Sequence, residues 1–465
     1  MNRLVRALLV PVLLHAADWP TFRGRNSSGV APDADLPEFG PGKFELWKTP
    51  LPPGHSSPVI VGKRIYLTGY EDNKLYTFAL DRESGKILWR REAPRPRRET
   101  LHEKNSPTSA SAATDGRNVY VFFTDYGVLA YGPDGEDKWQ VPLGPFNNPM
   151  GQSATPVLAG NTLLVPCDQE SGSFFVAFDK ETGKVKWRVE RPDFTRGFST
   201  PILYKPKDGP LQALLAGSYR LVAYEVETGK EAWWVGGLTW QLKPTPVMDE
   251  ENVYVLGWAG EADPGQQEVV PDFPEILAKW DANQDKQIQA AEIKDEKLAK
   301  KFAEIDLDNS KAIGERDWKL YQSKRAVVNG VNAYKLGGQG DMTSKSRLWK
   351  YEKSLPNVPS PLLYQGIIYL CKEGGILTAL DAKTGKVLKQ ARITGALGDY
   401  FASPIAAGGY VYTTSHEGKM AIIKAGPEWE VVRLITFPDM VNATPAILDG
   451  RIYVRTHAAL YCFGR

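Results

Sequence analysis

Three cysteines in 465 residues, Cys167, Cys371 and Cys462, are too few and too scattered for a disulfide framework, and no Cys-x-x-Cys or Cys/His cluster offers a zinc site. They are expected to pack as small apolar residues. Histidine is also sparse: His15, His55, His102, His416 and His457 give a histidine-based triad little to build on. No Gly-rich phosphate loop, nucleophile elbow or paired-histidine metal motif is present. The apolar run Ala7 to Leu14 is too short to cross a bilayer, so no membrane span is expected. Net charge is nearly absent as well. Lys plus Arg number 57 against 55 Asp plus Glu, a formal +2, and this excludes a bulk attraction to nucleic acid or an anionic membrane. The basic run Arg90, Arg91, Arg95, Arg97 and Arg98 reads as a solvated loop, a place where an acidic glycan or protein face could dock.

What the chain has in excess is 13 Trp, 20 Tyr, 43 Gly and 34 Pro, a composition suited to many short strands joined by tight turns. All-β is therefore the expected class. Residues 1–17 have the charged, apolar and small-residue order of a secretory signal, although His15 stands where a small residue is preferred and no Cys follows to carry a lipid. The protein is expected to be periplasmic or secreted, without a membrane anchor. Residues 18–41 read as an extended N-terminal segment.

An internal repeat organises the rest. A Ser/Thr-Pro pair, an apolar run, a turn and a strand residue nine positions on recur from Ser57, Thr155, Thr245, Ser360, Ser403 and Thr444. Ser111 keeps the spacing without the proline, and Thr200 begins a copy with a longer turn. These eight starts define a period of about 44 residues, enough for four short strands, with one long interruption. The second half of the repeat is clearest in Ala177-Phe178-Asp179-Lys180-Glu181-Thr182-Gly183-Lys184-Val185-Lys186-Trp187. Asp and Thr-Gly-Lys form a turn with Gly at positive φ, and the Trp opens the outer strand, where its flat ring can dock between neighbouring sheets. Trp47, Trp89, Trp139, Trp187, Trp233 and Trp349 fall at this anchor, with Trp429 as a seventh candidate.

The last copy ends at Arg465 before its outer strand, and Lys43 to Trp47 supplies one from the front of the chain. The reading is an all-β, eight-bladed β-propeller closed by an N-terminal strand, with a small α-helical insertion. Residues 42–259 are assigned to blades 1–5 and the closing strand, 260–326 to the insertion, and 327–465 to the remainder of blade 5 and blades 6–8.

The Ala-x-Asp-x-x-Thr-Gly-Lys-x-x-Trp element resembles the tryptophan-docking motif of pyrroloquinoline-quinone-type propeller repeats, found in quinoprotein alcohol dehydrogenases and in the propeller subunit of the bacterial outer-membrane protein assembly machinery. Asp18-Trp19-Pro20-Thr21-Phe22-Arg23-Gly24, with Gly54 to Pro58, is similar to exported bacterial members of the same superfamily. The resemblance implies a propeller; for the enzymatic branch it implies adjacent cysteines beside a quinone and acidic calcium ligands in the funnel. This sequence has no Cys-Cys pair.

The interruption differs in composition from the rest. Asp272 to Asp317 carries 12 acidic and 8 basic residues, with Phe273, Ile276, Leu277, Trp280, Leu298, Phe302 and Ile305 at helical spacing. Asp281 to Glu292 matches a twelve-residue EF-hand calcium loop: side-chain oxygens from Asp281, Asn283 and Asp285, the carbonyl of Gln287, apolar Ile288, and Glu292 at the last position. Asp306 to Asp317 is a second copy with Asp306, Asp308, Ser310, the carbonyl of Ala312, and Asp317. Alternate positions in so tight a loop aim oxygens at one point. Lys286 and Lys311 stand where Gly is expected, which costs about 1 kcal/mol in a left-handed conformation, and Asp317 is one methylene short of the usual Glu.

Polar residues just ahead of the Ser/Thr-Pro pairs, namely His55, Gln152, Lys243, Asn357 and Asn442, are expected at one mouth of the central channel and form the candidate binding surface. The functional expectation is a monomeric, non-catalytic platform for a protein or glycan partner, carrying Ca²⁺ in the insertion. The alternative is a pyrroloquinoline-quinone-dependent oxidoreductase with its cofactor in the channel.

Overall fold

The computed structural model describes residues 18–31, 34–36 and 38–465; the segment read as a secretory signal lies outside the described residues. Eight sheets of four antiparallel strands follow one another around a ring. Their inner strands begin just after the repeated Ser/Thr positions, at Val59–Val61, Ala113–Thr114, Val157–Ala159, Ile202–Tyr204, Val247–Met248, Leu362–Tyr364, Ile405–Ala407 and Ala446–Leu448. The two middle strands are buried on both faces, as in Val119–Phe123 and Gly127–Tyr131, because each blade is sandwiched between two others. Outer strands alternate, as in Asp137–Pro142.

Ring closure occurs where the sequence places it. Glu45–Pro50 pairs antiparallel with Ala459–Phe463, setting Trp47 opposite Cys462. Short parallel additions, Val30–Ala31 beside Ile405–Ala407 and Gly340–Asp341 beside Glu231–Gly236, widen blades 7 and 4.

The repeated tryptophan docks on the following blade. The indole N–H of Trp139 donates to Lys180 O (2.8 Å), and those of Trp47, Trp89, Trp187 and Trp349 donate to the equivalent carbonyls of Arg82, Pro133, Val226 and Ala382. Each ring lies against the turn glycine: a Cβ on Gly183 would sit 2.6 Å from the Trp139 ring, at φ +71°. Trp233 keeps the outer-strand position but donates within its own blade, to Gln212 Oε1 (2.9 Å). Trp429 is not an anchor. In blade 6 the anchor position is Lys389, opposite Ala379, and its ammonium donates to Trp429 O (2.8 Å) while lying 5.0 Å from the Trp429 ring centroid. There the receiving turn brings the aromatic ring and the anchor brings the donor. Gly183→Ala is expected to cost about 3 kcal/mol, combining backbone strain with overpacking. Gly160→Ala, also at positive φ but with open space around the new Cβ, should cost only about 1 kcal/mol by urea unfolding.

The Ser/Thr of the repeat forms an inner belt. Ser57 N–H donates to Ser111 Oγ (2.9 Å), Ser111 to Thr155, Thr155 to Thr200, Thr245 to Ser360, Ser360 to Ser403, Ser403 to Thr444, and Thr444 back to Ser57 (3.0 Å). The short hydroxyl thus ties adjacent inner strands together at the channel wall and satisfies buried main-chain donors.

The insertion leaves blade 5 between Asn252–Gly257 and Gly330–Lys335. Its helices, Phe273–Trp280, Glu296–Lys300, Phe302–Ile305 and Glu315–Ala326, enclose a separate apolar cluster that includes Ile276, Trp280, Ile288, Ile305, Ile313 and Trp318. Among the described residues no helix is long and apolar enough to cross a membrane.

Candidate functional site

The N-terminal segment is a crossbar over the channel, a role the extended reading of 18–41 left unspecified. Trp19 exchanges both main-chain hydrogen bonds with Ile60 of blade 1 (2.8 Å each), and Pro20 O accepts from Thr114 of blade 2. Asn26 bonds Leu203 of blade 4, and Gly29 O accepts from Ala406 of blade 7. Between them Arg23 is fully buried, donating to Pro361 O (2.8 Å) and Pro404 O (3.3 Å). With no carboxylate beside it among the described residues, burial pushes its guanidinium down to about 9. Gly24, at φ +73°, allows the chain to pass within contact of the Trp19 ring.

Phe22, on this crossbar, lines one end of a central cavity of about 420 Å³. The hydroxyl belt lines its wall, and His55, His102, Lys104, Lys243, Asn357 and Asn442 lie around it together with Phe198, Trp258 and Phe401. Four of the five mouth residues chosen from the sequence, His55, Lys243, Asn357 and Asn442, therefore share one cavity. Gln152 is turned away: it is buried, and its amide donates to Asp168 O (2.6 Å). His102 and Lys104 come from the long link between blades 1 and 2, outside the repeat, and only the presence of polar residues in an overlong link could have flagged them. In that same link the expected solvated arginines are partly pinned down: Arg95 pairs with buried Asp125 (2.6 Å), and Arg97 donates to Thr124 O (2.6 Å).

His55 is held neutral. Asn442 Nδ2 donates to its Nε2 (2.8 Å), while Asn442 Oδ1 faces His416 Nδ1 (2.7 Å). Burial, reinforced by Arg455, pushes the His55 imidazolium down to about 4. The unfolded chain binds that proton below about pH 6.5, so stability is lost as pH falls through the window from 6.5 to 4. The loss attributable to this residue is about 3 kcal/mol. His55→Gln should flatten the pH dependence of urea unfolding by that amount across the same window.

Lys243 Nζ donates to Asn357 Oδ1 (2.8 Å) and Gln241 Oε1 (3.0 Å). Burial, with Arg196 second, lowers it to about 7. Among the described residues, none that lines this cavity is Asp or Glu. The three cysteines are buried in blades 3, 6 and 8, and burial pushes their thiols up. A calcium-held quinone requires carboxylate ligands, so the donor set of this cavity does not fit one.

The two acidic loops of the insertion are brought together through the pairing Ile288↔Ile313 and Gln289↔Ala312. In the first, Asp281 accepts from the N–H groups of Asp285 and Lys286, and Glu292 from those of Ala282, Asn283 and Gln289. The N–H of Gln287 holds the Asp285 carboxyl below its usual range. In the second, Asp306 accepts from Ser310 and Lys311, Asp308 from Ser310, and Asp317 from Leu307 and Gly314. Burial, then repulsion from Asp308, raises the Asp317 carboxyl. Lys286 and Lys311 take the left-handed turn at φ +65° and +69°. Among the described residues no three His, Cys, Asp or Glu side chains converge as a metal cluster.

The second loop faces the propeller. Asn147 Nδ2 donates to Leu307 O (2.7 Å), Arg316 to Pro192 O and Glu170 O (2.9 Å each), and Tyr219 to Leu320 O (3.0 Å). Asp306 and Asp317 also line a cleft of about 330 Å³ between the insertion and the rim of blades 2 to 4. Within it Glu170 pairs with Arg196 (2.7 Å), and Lys324 lies 4.5 Å from the Trp240 ring centroid.

Fold and repeat together define a pyrroloquinoline-quinone-type eight-bladed propeller. The chain belongs to the family described as outer membrane protein assembly factor BamB, whose model matches residues 41–174 and 171–465. Among solved structures it is similar to BamB from Moraxella catarrhalis, at 11% identity and a TM-score of 0.57, covering 90% of this chain and 97% of that one. It is also similar to a europium-containing methanol dehydrogenase, at 10% identity and a TM-score of 0.61, covering 97% and 98%. A quinohemoprotein alcohol dehydrogenase from Comamonas testosteroni gives 13% identity and a TM-score of 0.55, covering 96% and 80%. At such identities the likeness is one of fold. Comparison with curated proteins yields no sequence match.

Proposed function

We propose that the protein is an exported, non-catalytic propeller platform that docks a protein partner, with a calcium-binding EF-hand pair seated on its rim. The observation that carries this reading is the pair of acidic loops, coupled through Ile288 and Ile313 and anchored to the blades by Asn147, Tyr219 and Arg316. Membership in the BamB-described family supports a protein partner and a periplasmic setting. The donors of the first loop, carboxylates of Asp281, Asp285 and Glu292 with the oxygens of Asn283 and Gln287, are the hard oxygen set that calcium takes. The second loop offers Asp306, Asp308, Ser310, Ala312 O and Asp317, and it binds more weakly because Ser310 is neutral and Asp317 short. Bound calcium would order the loops and so present or hide the cleft beside blades 2 to 4.

Calorimetric titration with calcium is expected to give a dissociation constant of roughly 10⁻⁴ to 10⁻³ M. Asp281→Ala should remove most of the heat, and absence of any heat at millimolar calcium would refute the reading. For a site at the tight end of that range, 10 mM calcium should stabilise the fold by about 2.7 kcal/mol. Quinone-dependent oxidation is disfavoured by the acid-free lining of the cavity; reconstitution with the quinone and calcium is expected to leave no cofactor absorbance band on the purified protein.

A further inference from the structure

We infer that Lys243 is a nucleophilic amine set in the central cavity to capture a small apolar aldehyde or ketone as a Schiff base. The inference is independent of calcium and goes beyond a passive platform. Lys243 sits two residues before Thr245 of the hydroxyl belt, on a backbone fixed by the fully buried Leu242 and by Pro244. Its Nζ is met by two amide oxygens, one from its own loop and one from Asn357 of the next. Amides accept hydrogen bonds but carry no charge, and among the described residues no carboxylate lines the cavity to compensate an ammonium.

A neutral amine has two N–H groups, which match the two amide acceptors, and leaves its lone pair for a ligand; an ammonium brings a third donor that these amides do not satisfy. Burial lowers this amine to about 7, so at pH 7 about half of it is free base, roughly 10³ times the fraction of an ordinary lysine. A lysine desolvated by burial is the arrangement that activates amines toward carbonyls. Trp258, whose ring centroid is 5.7 Å from Nζ, offers an ammonium only the weak attraction of a cation over an aromatic face, and it lines the same cavity as Phe22, Phe198 and Phe401. These aromatic side chains, which share the lining with the hydroxyl belt, suit the apolar body of such a ligand. The step balances without an oxidant. The amine nitrogen bonds to the carbonyl carbon, both amine protons leave with the carbonyl oxygen as water, and a C=N bond remains.

The test uses the full chain, benzaldehyde and sodium cyanoborohydride at pH 7, followed by proteolysis and mass spectrometry. One benzyl group is expected on Lys243, formed about 10²-fold faster than at any surface lysine, and absent from Lys243→Met. If Lys243→Met does not fold by circular dichroism, the wild-type peptide map decides alone. The inference is overturned if Lys243 stays unmodified, if surface lysines react as fast, or if folded Lys243→Met retains the same single fast adduct. Benzoate that binds the cavity while benzaldehyde leaves no adduct would reassign the site to anions and overturn it as well.

Discussion

Replacing Glu45–Pro50 by a Gly/Ser linker of equal length is expected to destabilise the protein by more than about 5 kcal/mol and to make its unfolding multiphasic. In a ring of blades that touch only their neighbours, the junction between the ends is the one interface that sequence continuity does not hold together. Three interactions meet there. The closing strand supplies the outer ladder of blade 8 from Pro50↔Ala459 to Glu45↔Phe463. Trp47 lies on the Gly85 turn and donates to Arg82 O (3.1 Å), and Thr49 Oγ1 donates to Gly85 O (2.6 Å). Losing the half-buried Trp47 alone costs about 2 to 3 kcal/mol, and the bared edge of Ala459–Phe463 becomes a template for another chain. The crossbar stays tethered in this variant, so the change reports closure alone. A peptide spanning residues 43–50 added in trans should recover part of the loss, and an unchanged urea midpoint and slope would contradict the argument.

This junction was legible because it belongs to a repeat: a missing strand at one end and a surplus Trp-bearing strand at the other. The mouth residues His55, Lys243, Asn357 and Asn442 were legible for the same reason, since each precedes a Ser/Thr of the belt. Features that occur once were not. The crossbar has no period, and its contacts join residues as distant in sequence as Arg23 and Pro404. Spacing alone suggested Trp429 as an anchor, whereas pairing register makes Lys389 the anchor and Trp429 its acceptor. Register in turn places Arg433 opposite Ile422, beside the bulge where other blades keep their Trp, and there it reaches Glu38 (3.0 Å). Gln152 stands three residues before Thr155, as Asn357 does before Ser360, but its amide is taken by the main-chain carbonyl of Asp168, whose side chain is a buried charge.

That buried charge carries the second large effect. Asp168→Ala is expected to cost about 3 to 5 kcal/mol, because it strands Arg191 in the interior. Arg191 Nε and Nη2 meet the two Asp168 oxygens at 2.7 and 3.0 Å, Nη1 donates to the Tyr224 hydroxyl, and the Phe194 ring centroid lies 3.5 Å from the guanidinium. The two side chains are 0% and 3% exposed. Water cannot reach the guanidinium to replace a lost carboxylate, so the penalty is that of an unpaired buried ion and not that of a surface pair, which is worth about 1 kcal/mol or less. The double variant Asp168→Leu/Arg191→Met removes both charges and should recover most of the loss. Urea unfolding of wild type, both single variants and the double variant gives the coupling directly; a cost below 1 kcal/mol for Asp168→Ala would show that water enters this junction of blades 3 and 4. Because Gln152 bonds the Asp168 carbonyl, the same variant tests why that glutamine faces the blade interior. If the segment around residue 168 relaxes, Gln152 becomes free to turn toward the cavity, and Lys243, His55, Asn357 and Asn442 gain the fifth polar neighbour that its place just ahead of the belt residue Thr155 anticipates.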